Sequence, residues 1–201
     1  MKDWIGNNKS AFTCNGASNH SKGQRQLEDY YATEPKAIDL LFDVESFKDC
    51  IWECCCGEGH LSKRMIELGA DVISSDLFDR GYGITGFDFL KADNMLAGTK
   101  HIITNPPYKY ATEFVYKANE LLPKGGKCAM FLKLTFLESK KRKKLFEQYP
   151  PKVIYVSSSR LQCAKNGDFK IYKSGVGTAI AYAWYIWEKG YTGETIIKWI
   201  N

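Results

Sequence analysis

The sequence predicts an α/β domain with a mostly parallel sheet and helices on both faces. Short apolar runs that read as strands end in acidic or amide side chains, and segments with helical spacing lie between them. These strand ends occur along the chain in the order expected of successive parallel strands. Since open α/β folds bind ligands beyond the carboxyl ends of their strands, we expect the functional site at that edge.

Length and composition are those of one globular domain spanning residues 1–201, with 44% hydrophobic and 25% charged residues. No run of about 18 apolar residues occurs, so we expect no membrane span, and Met1 to Trp4 does not open a signal peptide. The seven cysteines include three in a row and show no zinc spacing. We therefore expect reduced cysteines, no bound metal and a cytoplasmic location.

Charge is unevenly distributed along the chain, which has a formal net charge of +5. Between Lys124 and Lys173 there are thirteen Lys and Arg against three Asp and Glu, whereas the remainder holds fifteen against twenty. This division indicates a small-molecule site in one part and a polyanion site in another. The alternative is a solvated charged face without a binding role.

The first 28 residues are rich in Asn, Ser, Gly and Lys from about Gly6 to Gly23, which predicts a flexible arm over residues 1–28. Thr33 then has the character of a helix N-cap, because Pro35 follows in the first turn and apolar residues continue at helical spacing. Helix N-termini bind carboxylates well.

The first predicted strand, Cys50 to Cys54, runs into a turn that contains Gly57 and Gly59 and then into a helix from Lys63 to Leu68. Glycines at a strand-to-helix turn allow the backbone to approach a ligand closely. A second strand ends at Asp76, about 20 residues beyond the glycines, where a carboxylate can accept hydrogen bonds from both ribose hydroxyls. A simple capping role for Asp76 is the alternative.

The predicted fourth strand, Ile102 to Thr104, is followed by Asn105-Pro106-Pro107-Tyr108. The two prolines fix φ and hold the preceding residues extended. The Asn105 side chain and the Pro106 carbonyl can then form a rigid pair of acceptors for the two hydrogens of a planar exocyclic amine. Tyr108 can stack on the heterocycle that carries the amine. The alternative is a Pro-rich turn that only ends a strand.

The rest of the chain continues the α/β pattern. The predicted elements are a helix at 111–122, a strand at 127–134, a basic helix at 140–146, a strand at 152–157 and a last strand at 178–188. Residues 158–177 are predicted as a basic, substrate-contacting insert, with an irregular packed loop as the alternative. The candidate nucleic-acid contacts are Lys109, Lys140, Arg142, Arg160, Lys165, Phe169, Lys170, Tyr172 and Lys173.

The Asn-Pro-Pro-Tyr loop and the pattern Glu53-x-x-x-Gly57-x-Gly59 resemble S-adenosylmethionine-dependent amino-methyltransferases. The resemblance is strongest to small, phage-type DNA adenine-N6 methyltransferases. It implies a class I, Rossmann-like fold with seven strands, the last one antiparallel, and S-adenosylmethionine as cofactor. The cofactor-binding residues that it implies are Tyr31, Thr33, Pro35, Glu53, Cys55, Gly57, Gly59, Asp76, Leu77, Asp88, Phe89 and Asn105.

For four residues of that set, the resemblance also implies which part of the cofactor they contact. Thr33 would contact the carboxylate, Glu53 the amino group of the methionine moiety, and Asp88 the adenine amine, with Phe89 packed on the adenine ring. The implied reaction is methylation of adenine N6 in DNA. Alternatives with the same loop are methylation of an RNA base or of a protein glutamine amide; an alternative of another class is a non-catalytic nucleic-acid-binding partner.

One departure from the larger adenine methyltransferases concerns length. Those enzymes carry a separate target-recognition domain of about a hundred residues or more, and this sequence has no room for one. The resemblance therefore implies a short or loose recognition site, and small members of this kind are typical of phages or mobile elements.

Overall fold

The computed structural model describes residues 31–165, 169 and 180–201, and the predicted arm lies outside the described residues. Its central sheet has seven strands: β2 Cys50–Glu53, β3 Val72–Ser74, β4 Thr99–Thr104, β5 Lys127–Lys133, β6 Val153–Ser157, β8 Tyr182–Glu188 and β9 Ile196–Ile200. They lie in the order β3-β2-β4-β5-β8-β6-β9. Strand β8 is antiparallel to both of its neighbours and the other pairings are parallel, so the predicted fold class is confirmed.

Helices cover both faces of this sheet. Helices α1 (Lys36–Phe42) and α2 (His60–Glu67) pack on one face, and α3 (Ala111–Leu121) and α4 (Lys140–Gln148) on the other. Neighbouring residues of a strand point to opposite faces, so Ile51 and Trp52 enter different cores. Both cores are packed with fully buried side chains, and the sheet therefore forms a rigid scaffold for the loops at its carboxyl edge.

A second, two-stranded sheet lies beside the central one and was not predicted. Strand β1 (Tyr31–Thr33) pairs antiparallel with β7 (Cys163–Lys165), with Thr33 opposite Cys163. We call this pair the β1–β7 ribbon. The prediction of Thr33 as a helix N-cap is therefore wrong: Pro35 occupies the N-cap position of α1, and Thr33 has the extended backbone of a strand.

Two further expectations need correction. Ile102 to Thr104 was predicted in a fourth strand but belongs to β4, the third strand of the central sheet in chain order, because residues 75–98, all of which the structure describes, form only an isolated bridge between Ser75 and Ile84 and a short 3-10 helix, Phe89–Lys91. The seventh strand is instead β9, at the opposite edge of the sheet. The predicted insert at 158–177 is also not all loop, because β7 begins at Cys163.

Candidate active site

Asn105 follows the last residue of β4 and directs its side chain toward the β1–β7 ribbon. Its Nδ2 donates hydrogen bonds to the carbonyl oxygen of Tyr31 at 3.1 Å and to Oγ1 of Thr33 at 2.9 Å. The Sγ of Cys163 is 3.9 Å from the same nitrogen. The ribbon therefore receives both hydrogens of the Asn105 amide.

The orientation of this amide follows from the chemistry of its neighbours. A backbone carbonyl can only accept, so the atom that faces the Tyr31 oxygen must be the nitrogen. Oδ1 then points the other way, and it is buried without a hydrogen-bond partner among the described residues. A buried acceptor without a partner costs about 1–3 kcal/mol, which makes Oδ1 a candidate acceptor for a donor from a bound ligand.

Tyr108, three residues further on, packs against the same ribbon. Its hydroxyl is 3.4 Å from the Sγ of Cys163, and its ring stacks on that of Tyr182 with 6.0 Å between centroids. Burial, with Cys163 and Tyr182 next to it, raises the pKa of the Tyr108 hydroxyl well above its usual value. The hydroxyl therefore stays neutral, and the ring is held in place at the edge of the candidate site.

Asp76, at the end of the second predicted strand, binds two backbone amides. Its Oδ2 accepts from the amide of Gly57 at 2.8 Å, and its Oδ1 accepts from the amide of Phe78 at 2.9 Å. Gly57 and Gly59 both have positive φ, and the ring of Tyr82 occupies the space that a Cβ at Gly59 would need. The turn after β2 is thus shaped by its glycines and fixed to the end of β3.

Glu53, the last residue of β2, is 1% exposed and lies under this turn. Its carboxylate accepts a hydrogen bond from the hydroxyl of Ser62 in α2. Burial raises the pKa of Glu53 to about 8, and the nearby Asp76 adds to the rise while Ser62 opposes it. A negative charge on Glu53 is therefore unfavourable unless a cation approaches.

The predicted adenine contacts are placed differently from the expectation. Phe89 is 2% exposed and packs against Trp52 and Phe114 in the core, so it offers no face to a ligand. Asp88 uses Oδ1 to cap its own turn, accepting from the amide of Leu90 at 3.1 Å. The exposed apolar side chains near Asp76 are instead Leu77, Phe78 and Ile84.

Arg142 does not have the role predicted for it as a nucleic-acid contact. Its guanidinium donates to the carbonyl oxygens of Phe136, Thr135 and Glu138 at 2.6, 3.0 and 2.7 Å, and lies over the Phe136 ring. Arg142 therefore holds the turn that precedes α4. Four other cations of this helix are exposed: Lys140, Lys141, Lys143 and Lys144.

The remaining candidate nucleic-acid contacts fall into three groups. Lys109 and Arg160 are exposed, and the Lys109 ammonium lies 5.0 Å from the centre of the Tyr110 ring. Phe169 makes an edge contact with His60, the first residue of α2, rather than standing free. The side chain of Lys165 and the whole of Lys170, Tyr172 and Lys173 lie outside the described residues.

Two residues of this site were missed from the sequence. Cys163 contacts Asn105 and Tyr108, and only its pairing in the ribbon could have revealed this. Lys133, at the end of β5, places its ammonium 5.0 Å from the centre of the Tyr108 ring. Its position at the end of an apolar strand was a signal, because polar residues at that edge face the ligand side.

The residues at this edge fit S-adenosylmethionine in some of the predicted positions and not in others. Thr104 Oγ1 and Asn105 Oδ1 are the two buried side-chain polar atoms without a partner in the described part of the chain, and both lie at the end of β4. Asp76, Leu77 and the Gly57 turn could hold an adenosine and its ribose. Phe89 does not fit its predicted place, for the reason given above.

Neither a metal site nor a membrane-spanning helix is found in the described part of the chain. Residues 31–165, 169 and 180–201 contain no group of three or more His, Cys, Asp or Glu arranged to hold a metal ion. Over the same residues, every helix is too short or too polar to cross a membrane.

No protein-family model and no curated protein matches this chain. Among solved structures, it is similar to a protein from Listeria monocytogenes assigned as a class I S-adenosylmethionine-dependent methyltransferase. The two are 14% identical over 89% of this chain and 68% of that one, with a TM-score of 0.55.

Two further similarities connect the fold to proteins named for nucleic-acid modification. A protein from Pyrococcus horikoshii assigned as an RNA methyltransferase is 15% identical over 92% of this chain and 99% of that one, with a TM-score of 0.53. A protein from Vibrio vulnificus assigned as a modification subunit of a type I restriction enzyme is 13% identical over 89% of this chain and 48% of that one, with a TM-score of 0.56. The chain therefore has the class I methyltransferase fold.

Proposed function

We propose that this chain transfers a methyl group from S-adenosylmethionine to the exocyclic N6 of adenine in DNA. One observation carries the proposal: Asn105 presents a buried oxygen acceptor without a partner among the described residues, while both hydrogens of its amide are bound. Such a group needs a donor from the substrate. An exocyclic amine supplies one, whereas a carbonyl oxygen does not.

The chemistry of the loop follows from that requirement. Asn105 Oδ1 and the Pro106 carbonyl accept the two amine hydrogens and draw the nitrogen toward a tetrahedral form, so its lone pair is directed away from them. No strong base is needed, because the proton can leave for water after the transfer. Positioning and electrostatics then supply the rate enhancement.

S-adenosylmethionine supplies a sulfonium-bound methyl group, and the sulfur keeps the electron pair when the N6–carbon bond forms. Asp76 and Leu77 are the residues that we assign to its ribose and adenine. We assign Glu53 to its cationic amino group, whose charge would offset the cost of ionising the buried carboxyl.

A polyanionic substrate agrees with the charges around the loop. Lys133, the last residue of β5, has its ammonium beside the Tyr108 ring, and α4 with its exposed lysines follows β5 in the chain. In duplex DNA the adenine must leave its stack, at a cost of a few kcal/mol, before N6 can reach Asn105. We further propose that residues 1–201 act as one methyltransferase domain, with residues 158–177 on the DNA and residues 1–28 as an arm.

Two alternatives keep part of this assignment. An RNA base or a protein glutamine amide also carries N–H donors for Asn105, but the basic segment favours a nucleic acid over a protein. A non-catalytic partner would keep the fold without the chemistry. That alternative gives no reason for a buried acceptor without a partner at the loop.

The test is to incubate the protein with S-adenosylmethionine labelled on its methyl group. Double-stranded DNA, structured RNA and a protein lysate are supplied separately, and each product is digested and identified. We expect labelled N6-methyladenine from DNA. Label in RNA or protein would keep the cofactor assignment and replace the substrate, and label nowhere would favour the non-catalytic alternative.

A further inference from the structure

We propose that Thr33 is a positioning residue for the Asn105 amide, not a ligand of the cofactor's carboxylate. Its catalytic consequence rests on the proposed function, because it concerns the group that receives the substrate amine. The starting point is the 2.9 Å hydrogen bond from Asn105 Nδ2 to Thr33 Oγ1.

Thr33 and Tyr31 have separate tasks in holding this amide. The Tyr31 carbonyl determines which end of the amide is the nitrogen, since it accepts only. One hydrogen bond does not fix the amide plane, because the last side-chain torsion of Asn is broad. The second hydrogen bond, to Thr33, removes that freedom and sets the direction of Oδ1.

The surroundings of Thr33 support this role over a cofactor contact. The residue is 2% exposed, and the Sγ of Cys163 lies 3.9 Å from its Oγ1 across the ribbon. The hydroxyl is therefore enclosed by Asn105 and Cys163.

The β1–β7 ribbon explains why a threonine suits the position. A β-branched residue is favoured in a strand, and the register places Thr33 directly opposite Cys163. The Thr33 hydroxyl is then directed toward the end of β4, where Asn105 begins the loop. Val at this position would keep the strand and remove the acceptor.

The experiment compares Thr33→Val with Thr33→Ser under saturating S-adenosylmethionine. For Thr33→Val we expect kcat to fall on the order of 10²-fold, as for a misaligned reacting group, and the Kd of the cofactor to stay near wild type. Thr33→Ser restores the acceptor and should recover most of the activity. Thr99→Val is the matched control, because it removes a buried hydroxyl with a 2.7 Å hydrogen bond at the other end of β4.

A second readout does not depend on the substrate. The side-chain amide signal of Asn105 in a nitrogen–proton correlation spectrum is identified by its loss in Asn105→Ala. We expect Thr33→Val, but not Thr33→Ser or Thr99→Val, to shift it and to speed its hydrogen exchange. If valine prevents folding, Thr33→Ala is measured instead.

Three results would overturn the proposal: an unchanged Asn105 signal in Thr33→Val, an unchanged kcat with a weakened cofactor Kd, or equal defects in the Ser and Val variants. Failure of the proposed function would look different. Wild-type protein would then leave DNA unlabelled while the Asn105 signal still responded to Thr33.

Discussion

The Oδ2 of Asp76 accepts a hydrogen bond from the backbone amide of Gly57 at 2.8 Å, which joins the end of β3 to the turn after β2. The two residues belong to different predicted motifs, a ribose acceptor and a glycine turn. The hydrogen bond makes them one unit, so a change at either residue is expected to alter the other.

Asp76→Ala tests this unit. We expect weaker binding of S-adenosylmethionine by calorimetric titration. We also expect a loss of about 1–3 kcal/mol in the free energy of unfolding, because the buried Gly57 amide is left without an acceptor. Asp79→Ala is the control, since Asp79 accepts from a backbone amide in an exposed turn nearby. Equal cofactor affinity in wild type and Asp76→Ala would remove Asp76 from the cofactor site.

Glu53→Gln tests the pH dependence that follows from the raised pKa. The pKa of Glu53 is about 8 in the folded protein and ordinarily 4.5, so the folded state binds the proton more tightly than the unfolded state. The contribution of this proton to the stability of the fold is therefore fully present below pH 4.5 and is lost as pH rises toward 8. Gln carries no charge at any of these pH values. The wild type should therefore lose free energy of unfolding relative to Glu53→Gln by up to about 1.4 kcal/mol per pH unit.

Urea titrations at pH 5, 6, 7 and 8, without cofactor, measure this difference. Glu113→Gln, which changes an exposed residue of α3, is expected to keep the wild-type dependence on pH. Parallel curves for wild type and Glu53→Gln would show that the buried carboxyl does not titrate in this window.

Asn105→Ala tests the acceptor on which the function rests. Methyl transfer should fall by 10²-fold or more, an order typical of losing one oriented polar group, while cofactor binding remains. Asn119→Ala is the matched control, because Asn119 is also buried and its Nδ2 donates to the Val115 carbonyl on a helix away from the site. Substantial methyl transfer by Asn105→Ala, measured with labelled cofactor, would refute the assignment.

Lys133→Gln tests whether a phosphate lies near Tyr108. The logarithm of DNA affinity should depend less steeply on the logarithm of salt concentration, by about 0.9 for one lost phosphate contact. Lys124→Gln is the control, since it removes an exposed charge from the turn before β5, at the other edge of the sheet. Identical slopes for wild type and Lys133→Gln would place the phosphates elsewhere.

The fold was largely predictable because apolar runs, glycines and prolines mark its strands and turns. The Asn105 loop lies at the end of β4 as expected, since Pro106 and Pro107 end the strand. The sequence could not show which of the five cations from Lys140 to Lys144 has a structural role. The structure shows that it is Arg142, which donates hydrogen bonds to three backbone carbonyls. Phe89 was similarly ambiguous, because an aromatic residue suits a ligand site and a core equally well.

The β1–β7 ribbon was beyond local pattern reading. Its strands have three residues each, and the paired Thr33 and Cys163 are 130 positions apart. Neither strand has enough residues for its alternation to stand out. The partner of Asn105 was therefore the part of the site that only the tertiary structure could identify.

That same ribbon has a consequence for how the molecule gains and loses activity. Short pairings with few backbone hydrogen bonds open locally before a large sheet does. The parallel sheet and the Gly57 turn do not depend on the ribbon for their own hydrogen bonds. We therefore expect an inactive, partly open form in which the sheet is intact and Asn105 is no longer oriented, so that heat inactivates the protein before it unfolds it.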